Sequence, residues 1–341
     1  MKAIILLLAT LTVVWAQPKL HEGEIDGAKF KILVPEKPSG KVLLLAHGYR
    51  GKDNPLSADF DEKGDLEQSL LGKGWTIAST SYRRNGWIID DALVDLRALQ
   101  QKVSSIQGKP NTTFMIGNSM GGQIVVLAAE GALNVDGVIT TGAAFQNYPK
   151  AEITPKLSYK PKAPVILLIN QEVNRPMSVN YFKKAGNTHC ALWKIERPGH
   201  CNVADAEKLA AIQALEDWKA GKPVTHEKDA TTPVPSKPST AATVLMGKAS
   251  RVSESWGNIT STYVKSDLET LGAKLNDKLL LTVGNKSQIL IVARHYSEVP
   301  RGKGAAYITP EGYLQLMISG DSLAKKLDVK KEDKLSLSIA P

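Results

Sequence analysis

Between residues 18 and 221 the chain alternates short apolar runs with stretches whose apolar residues recur at helical intervals. The runs at 41–46, 75–80, 113–116, 137–140, 165–169 and 192–195 show little polar alternation. A strand with one wet face reads apolar, polar, apolar. A strand covered on both faces reads as a nearly continuous apolar run, so these segments predict the centre of a mainly parallel sheet. Ile89, Leu93, Leu96 and Leu99 mark one helix, Ile124, Leu127 and Ala128 a second, and Leu209, Ile212, Leu215 and Trp218 a third. Strand and helix taking turns predicts an α/β sheet with helices on both faces and right-handed crossovers. Residues 21–35 are expected to add an antiparallel hairpin at one edge.

The texture changes near Lys219. Residues 222–245 are rich in Pro, Thr and Lys, and prolines as dense as those of Thr231-Thr-Pro-Val-Pro-Ser-Lys-Pro238 deny the backbone the donors that a helix or central strand needs. An extended linker is predicted there. Beyond it, 259–264, 279–283, 289–293, 313–318 and 335–339 read as strands between Gly and Pro turns, with one short helix at 322–327. Residues 246–341 are therefore expected to form a smaller, mostly β, barrel-like domain, and residues 18–221 the larger α/β domain.

At the N-terminus, Met1-Lys2 precedes an apolar stretch broken only by Thr10 and Thr12, and Val14 and Ala16 supply the small residues of a cleavage site. This arrangement predicts a secretory signal peptide over residues 1–16, too short to span a bilayer comfortably, and hence a secreted or periplasmic protein without stable membrane insertion. An exported chain whose cysteines are Cys190 and Cys201 invites a disulfide between them, with two free thiols as the alternative. The formal net charge is +9, but the basic residues are scattered rather than gathered into a stripe with interleaved aromatics. Nucleic acid is therefore not expected as a partner. The oligomeric state is not legible.

The run at 113–116 leads straight into Gly117-Asn118-Ser119-Met120-Gly121-Gly122 and then an apolar helix. A G-x-S-x-G sequence between a buried strand and a helix is a nucleophile elbow, in which the glycines permit a sharp turn that leaves the serine hydroxyl exposed above the sheet. His47-Gly48-Tyr49-Arg50-Gly51 follows another apolar strand, and His200 stands late in the chain, after a strand and before a helix. With these motifs, residues 25–221 resemble the α/β-hydrolase family. The resemblance implies Ser119 as nucleophile, His200 as base, and the backbone N–H groups of Tyr49 and Met120 as oxyanion donors, with His47 bracing its loop. The family carries its acid on the loop after the strand at 165–169, commonly an Asp near the place held here by Asn174. An amide does not stabilise an imidazolium by charge, so Glu172, the carboxylate on that loop, is the candidate acid and Asp205 the fallback.

Tyr82 and Trp87, on the loop leaving the strand at 75–80, are possible substrate contacts, although Trp87 would equally suit packing beneath that loop. The segment between 142 and 165 is too short for a helical cap, which implies an open cleft suited to bulky or polymeric substrates. No metal-ligand spacing or phosphate-cradling loop competes with the triad, so neither a metal nor a cofactor is expected. The expected activity is carboxylic-ester hydrolysis through an acyl-enzyme, on a small-molecule or polymeric ester. A peptidase or amidase on the same triad, or a binding protein on a hydrolase scaffold, are the alternatives.

In the second domain, Trp256-Gly257-Asn258 and residues 312–327 resemble the C-terminal β-barrel domain of the SAM hydroxide adenosyltransferases, over about residues 248–339. That family's nucleoside-cleaving domain has no counterpart here. The resemblance therefore implies the fold, and a spacer, substrate-docking or oligomerising role, rather than the family's reaction.

Overall fold

Asp26 and Gly27, both at positive φ (50° and 83°), form the tight turn that folds β1 (Lys19–Ile25) back on β2 (Ala28–Val34) as an antiparallel hairpin. In the computed structural model, which describes residues 17–145, 156–235 and 242–340, this hairpin is one edge of a nine-stranded sheet. The expected signal peptide lies outside the described residues. The chain continues through β3 (Lys41–Ala46), α1 (Asp65–Gly72), β4 (Trp75–Thr80), α2 (Ile89–Gln107), β5 (Thr112–Asn118) and α3 (Met120–Leu127). There follow β6 (Gly137–Thr141), β7 (Val165–Gln171), α4 (Arg175–Ala185), β8 (Cys190–Pro198), α5 (Asp205–Lys219) and β9 (Glu227–Asp229). The sheet order is β1-β2-β4-β3-β5-β6-β7-β8-β9, and every pairing from β4 to β9 is parallel. This is the order of the α/β-hydrolase fold. It brings the C-terminal ends of β3, β5, β6, β7 and β8 side by side along one rim.

Side chains alternate along a strand, so each central strand feeds two cores. Leu44, Met115, Val165 and Leu167 lie on one face with Leu96 of α2, Ile124 of α3 and Tyr181 of α4. Leu43, Phe114, Ile166 and Trp193 lie on the other with Leu70 of α1 and Ile212 of α5. Burial on both faces is why these strands read as continuous apolar runs.

The stretch expected to be an extended linker also contributes a strand, because β9 adds to the outer edge of β8. Pro223 and Pro233 bracket it, leaving Glu227–Asp229 with its N–H groups, and an edge strand needs only one ladder. Just beyond, the chain is tied down by Glu207. This side chain is 1% exposed, and it accepts from both terminal nitrogens of Arg197 (3.0 and 2.9 Å), from Ala204 N (2.7 Å) and from Thr232 N (2.8 Å). A carboxylate withdrawn this far from water persists only when both oxygens are paired.

The second unit comprises β10 (Val244–Val252), β11 (Ile259–Val264), α6 (Lys265–Thr270), β12 (Lys278–Val283), β13 (Lys286–Val292), β14 (Gly304–Ile308), β15 (Tyr313–Ile318), α7 (Leu323–Leu327) and β16 (Lys334–Ile339). Its strands close a barrel in the order β10-β11-β15-β14-β13-β12-β16. Ile259, Leu281, Leu290, Leu316, Leu335 and Leu337 fill its interior, and Leu323 and Leu327 of α7 pack onto the same core. The barrel docks on the first domain through ion pairs of Arg251 with Asp61 and of Glu254 with Lys63. Glu311 also accepts from Asp205 N at 3.2 Å, and Arg301 donates to the Asn54 side chain at 3.4 Å. Among the described residues, no helix is long and apolar enough to cross a membrane.

Removing Glu207 strands Arg197 in the interior without its counter-charge. Glu207→Ala is expected to cost about 3–5 kcal/mol of stability, read as a lower urea midpoint of the first domain. An unchanged midpoint would show that the pair is dispensable.

Candidate active site

Ser119 sits between β5 and α3 at φ 55°, ψ −117°, a conformation outside the helical and extended basins that non-glycine residues favour. The surrounding packing holds it there. Its N–H donates to Thr141 O at 2.9 Å, and its own carbonyl accepts from Gly122 N at 3.0 Å and Ala144 N at 3.1 Å. Gly121 is required by crowding, since a Cβ there would lie 2.0 Å from Ala46 O. The side chain of Ser119 is partly open to solvent, as the elbow motif predicts.

The loop after β3 lies directly over this turn, where a Cβ on Gly48 would come 3.2 Å from Ser119 Cβ. Met120 opens α3, so its N–H has no acceptor one turn back, and Tyr49 lies next to Gly48 on the overlying loop. His47 braces that loop: its Nδ1 lies 2.7 Å from Gly48 O and its Nε2 3.1 Å from Ser81 O. Burial first, and the Arg50 charge second, push its pKa down to about 4, so the ring stays neutral.

The loops after β7 and β8 bring Glu172 and His200 together. His200 Nδ1 pairs with Glu172 Oε2, and the Glu172 side chain is only 4% exposed. Asn174, at the family's usual acid position, faces elsewhere: it is buried and its amide donates to Gly142 O at 3.1 Å. Asp205 is occupied by Lys208, at 2.9 Å, and stays with α5. The His200 loop is held from several sides. Asn170 donates to Gly199 O, Arg197 donates to Asn202 O at 3.2 Å, and the Cys201 thiol donates to Thr141 O at 3.3 Å. Thr141 O is thus a shared acceptor for the Ser119 backbone and for the residue beside His200. Among the described residues, no hydrogen bond joins Ser119 Oγ to His200.

Hydrogen bonds to Cys201 and then to Glu172 hold the imidazolium form of His200. They prevail over burial and raise its pKa from 6.5 to about 10. Glu172, His200 and Cys201 also form a group whose donor atoms all lie within 4.8 Å, a carboxylate, an imidazole and a thiol that could hold a metal ion. An ion there would occupy the two groups that a triad needs.

Two expectations are corrected. Cys190 and Cys201 are free thiols. Cys190 opens β8 and Cys201 follows its end, and β8 alone separates them by about 26 Å, far beyond the roughly 7 Å that a disulfide tolerates between Cα atoms. Tyr82 and Trp87 are buried rather than presented at the surface, Trp87 in the packed position that was its alternative. Tyr82 is fully buried under the His47 ring, at 4.0 Å between centroids, with its hydroxyl donating to His47 O at 3.3 Å, and Trp87 is buried in the same core. The barrel lies beside the site, where His295 meets the His200 ring edge to face at 6.4 Å. Sequence reasoning missed His295 because residues distant in sequence and domain meet only after docking. It also missed Gly142, at φ +55°, where a Cβ would lie 2.5 Å from Glu172 Oε1 and 2.6 Å from Cys201 Sγ.

With its pKa raised, His200 is protonated at neutral pH and becomes a base only as pH climbs. Any activity that depends on it is expected to rise through the alkaline range, and Cys201→Ala to move the acid limb of the kcat/KM profile toward neutrality. The same raised pKa stabilises the fold below about pH 6.5, a contribution lost as pH rises through about 10. Gly142→Ala drives a methyl group into the Glu172 carboxylate. It is expected to lower kcat by at least about tenfold, consistent with the sensitivity of catalysis to small misplacements; wild-type kcat would show that the carboxylate's seat is not critical.

Residues 254–336 match the model of the SAM hydroxide adenosyltransferase C-terminal domain family. No curated protein matches the chain. Among solved structures, 2,6-dihydroxy-pseudo-oxynicotine hydrolase is similar at 17% identity, over 62% of this chain and 71% of that one, with a TM-score of 0.46. Dienelactone hydrolase from Anabaena variabilis is similar at 17% identity, over 61% of this chain and 99% of that one, with a TM-score of 0.42. An uncharacterized conserved protein from Thermotoga maritima is similar at 18% identity over 36% of this chain, which spans about half (48%) of its length, with a TM-score of 0.28. The chain thus joins a domain with the α/β-hydrolase strand order to a barrel that matches the C-terminal domain of the SAM hydroxide adenosyltransferases.

Proposed function

We propose that the chain is an exported serine hydrolase that cleaves carboxylic esters through an acyl-enzyme. The observation that carries this reading is the buried Glu172 carboxylate against His200 Nδ1, beside a serine held on a strained strand-to-helix turn. Ser119 Oγ attacks the acyl carbon and His200 Nε2 takes its proton, closing on the hydroxyl once substrate is bound, as catalytic contacts commonly do. The imidazolium forms next to the Glu172 carboxylate, and the new oxyanion meets the N–H groups of Met120 and Tyr49, the former at the positive end of α3. His200 then delivers its proton to the departing alkoxide, and a water activated by the same ring frees the acid. Residues 1–16 serve as the export leader, which makes the mature enzyme secreted or periplasmic.

The test is labelling by a fluorophosphonate together with turnover of simple esters and anilides. Labelling at Ser119 is expected, with ester turnover that disappears in Ser119→Ala. Glu172→Gln is expected to lower kcat by about 10⁴, the scale seen when the acid of such a triad becomes an amide, and Asn174→Ala to lower it far less. An unlabelled Ser119 with no ester turnover overturns the reading. Anilides cleaved faster than esters would make the chain an amidase or peptidase instead.

A further inference from the structure

The barrel reaches the catalytic histidine through one short segment between β13 and β14. His295 precedes a 3-10 turn at Tyr296–Glu298, and its Nδ1 accepts from Ser297 N at 3.3 Å. Arg294 and Glu298 close the turn with an ion pair at 2.9 Å. Behind the segment, Ala293, Val299, Ala305 and Met317 form an apolar cluster separate from the barrel interior. The segment is therefore seated firmly on the barrel's outer wall. Its outward side faces the hydrolase loops, and a Cβ on Gly199, the neighbour of His200, would lie 3.6 Å from Arg294 O.

What this segment presents is aromatic. The Tyr296 ring lies 4.0 Å from the His295 ring and 6.4 Å from Tyr307, and His295 meets His200 edge to face at 6.4 Å. Tyr296 is 48% exposed although it sits next to the site, and its hydroxyl lies within electrostatic reach of Cys201, Arg50 and Asp59. Those residues come from the loops after β8 and β3, so Tyr296 lies near both. Burial first, and then the nearby His200 charge, push the His295 pKa down to about 4, which leaves a neutral ring against which Tyr296 packs at a 41° tilt.

Position decides which half of an ester this surface meets. In the mechanism proposed above, His200 must hand a proton to the departing alcohol, so the groups at its edge border the leaving group rather than the acyl chain. A half-exposed tyrosine backed by a neutral imidazole offers a flat apolar face with polar edges, which suits a ring better than a flexible chain. We infer that His295 and Tyr296 form a leaving-group subsite, supplied by the barrel, that selects esters of ring-bearing alcohols. This inference rests on the serine-hydrolase reading and assigns the second domain a direct part in specificity.

The experiment compares kcat/KM for benzyl acetate, glucose 6-acetate and hexyl acetate, whose leaving groups are all alkoxides, using the full-length chain and its Tyr296→Ala, Tyr296→Phe and His295→Ala variants. The wild type is expected to prefer at least one ring ester over hexyl acetate. Tyr296→Ala is expected to lower that ester's kcat/KM about three- to tenfold, the scale of an aromatic contact, while hexyl acetate changes little and Tyr296→Phe retains most of the preference. Deacylation, measured after the alcohol has left, is expected to be the same in the wild type and Tyr296→Ala. The arm that responds tells an aromatic from a sugar ring. An equal loss on all three esters, slower deacylation, or no ring preference in an active wild type overturns the subsite while leaving the hydrolase reading intact. A wild type that neither takes the fluorophosphonate nor cleaves any ester brings down both.

Discussion

The Glu207 carboxylate joins three parts of the chain that would otherwise have little reason to keep register. It holds Arg197 at the end of β8, the first turn of α5, and Thr232 at the start of the tether to the barrel. His200 lies in the loop between the first two of these anchors. The position of the His200 loop and the course of the tether therefore follow from one buried ion pair. Such a pair adds little net stability over an apolar replacement, but once built it tolerates no half-measures, because either partner alone is a buried charge.

The site itself is assembled by close backbone approach. Ser119 keeps its strained conformation because three backbone hydrogen bonds and the crowding around Gly121 leave it no other. On the acid side, Gly142 gives room to both Glu172 and Cys201, while Asn174 secures the carbonyl of that same glycine. Where the resemblance would place an acid the chain has Asn174, whose amide supports the seat occupied by a carboxylate two residues earlier.

The barrel borders the candidate site. Many hydrolases of this fold enclose their site with an insertion within the sheet domain, and here the second domain lies beside it. His295 and Tyr296 approach His200 from the barrel, held by a satellite apolar cluster and by the ion pairs that dock the two units. A cationic His200 and a neutral His295 sit side by side because Glu172 and Cys201 stabilise charge on the first while burial denies it to the second.

Much of this was legible in the sequence. Apolar runs without alternation announced a sheet covered on both faces, because strand burial acts on each residue locally. The strand-elbow-helix grammar around Ser119 followed from backbone requirements that only glycine satisfies, whereas the choice of His200 rested on the chain order of the family that the first domain resembles. The same resemblance pointed to the loop after β7 for the candidate acid. What the sequence left open depended on distance through space. Whether Glu172 or Asn174 turned toward His200 was decided by a glycine from another strand. Tyr82 was drawn under its loop by the His47 ring, and β8 carried the two cysteines apart. The aromatic wall beside His200 arose only from docking, since residues some ninety-five positions apart interact through surface complementarity that no local pattern encodes.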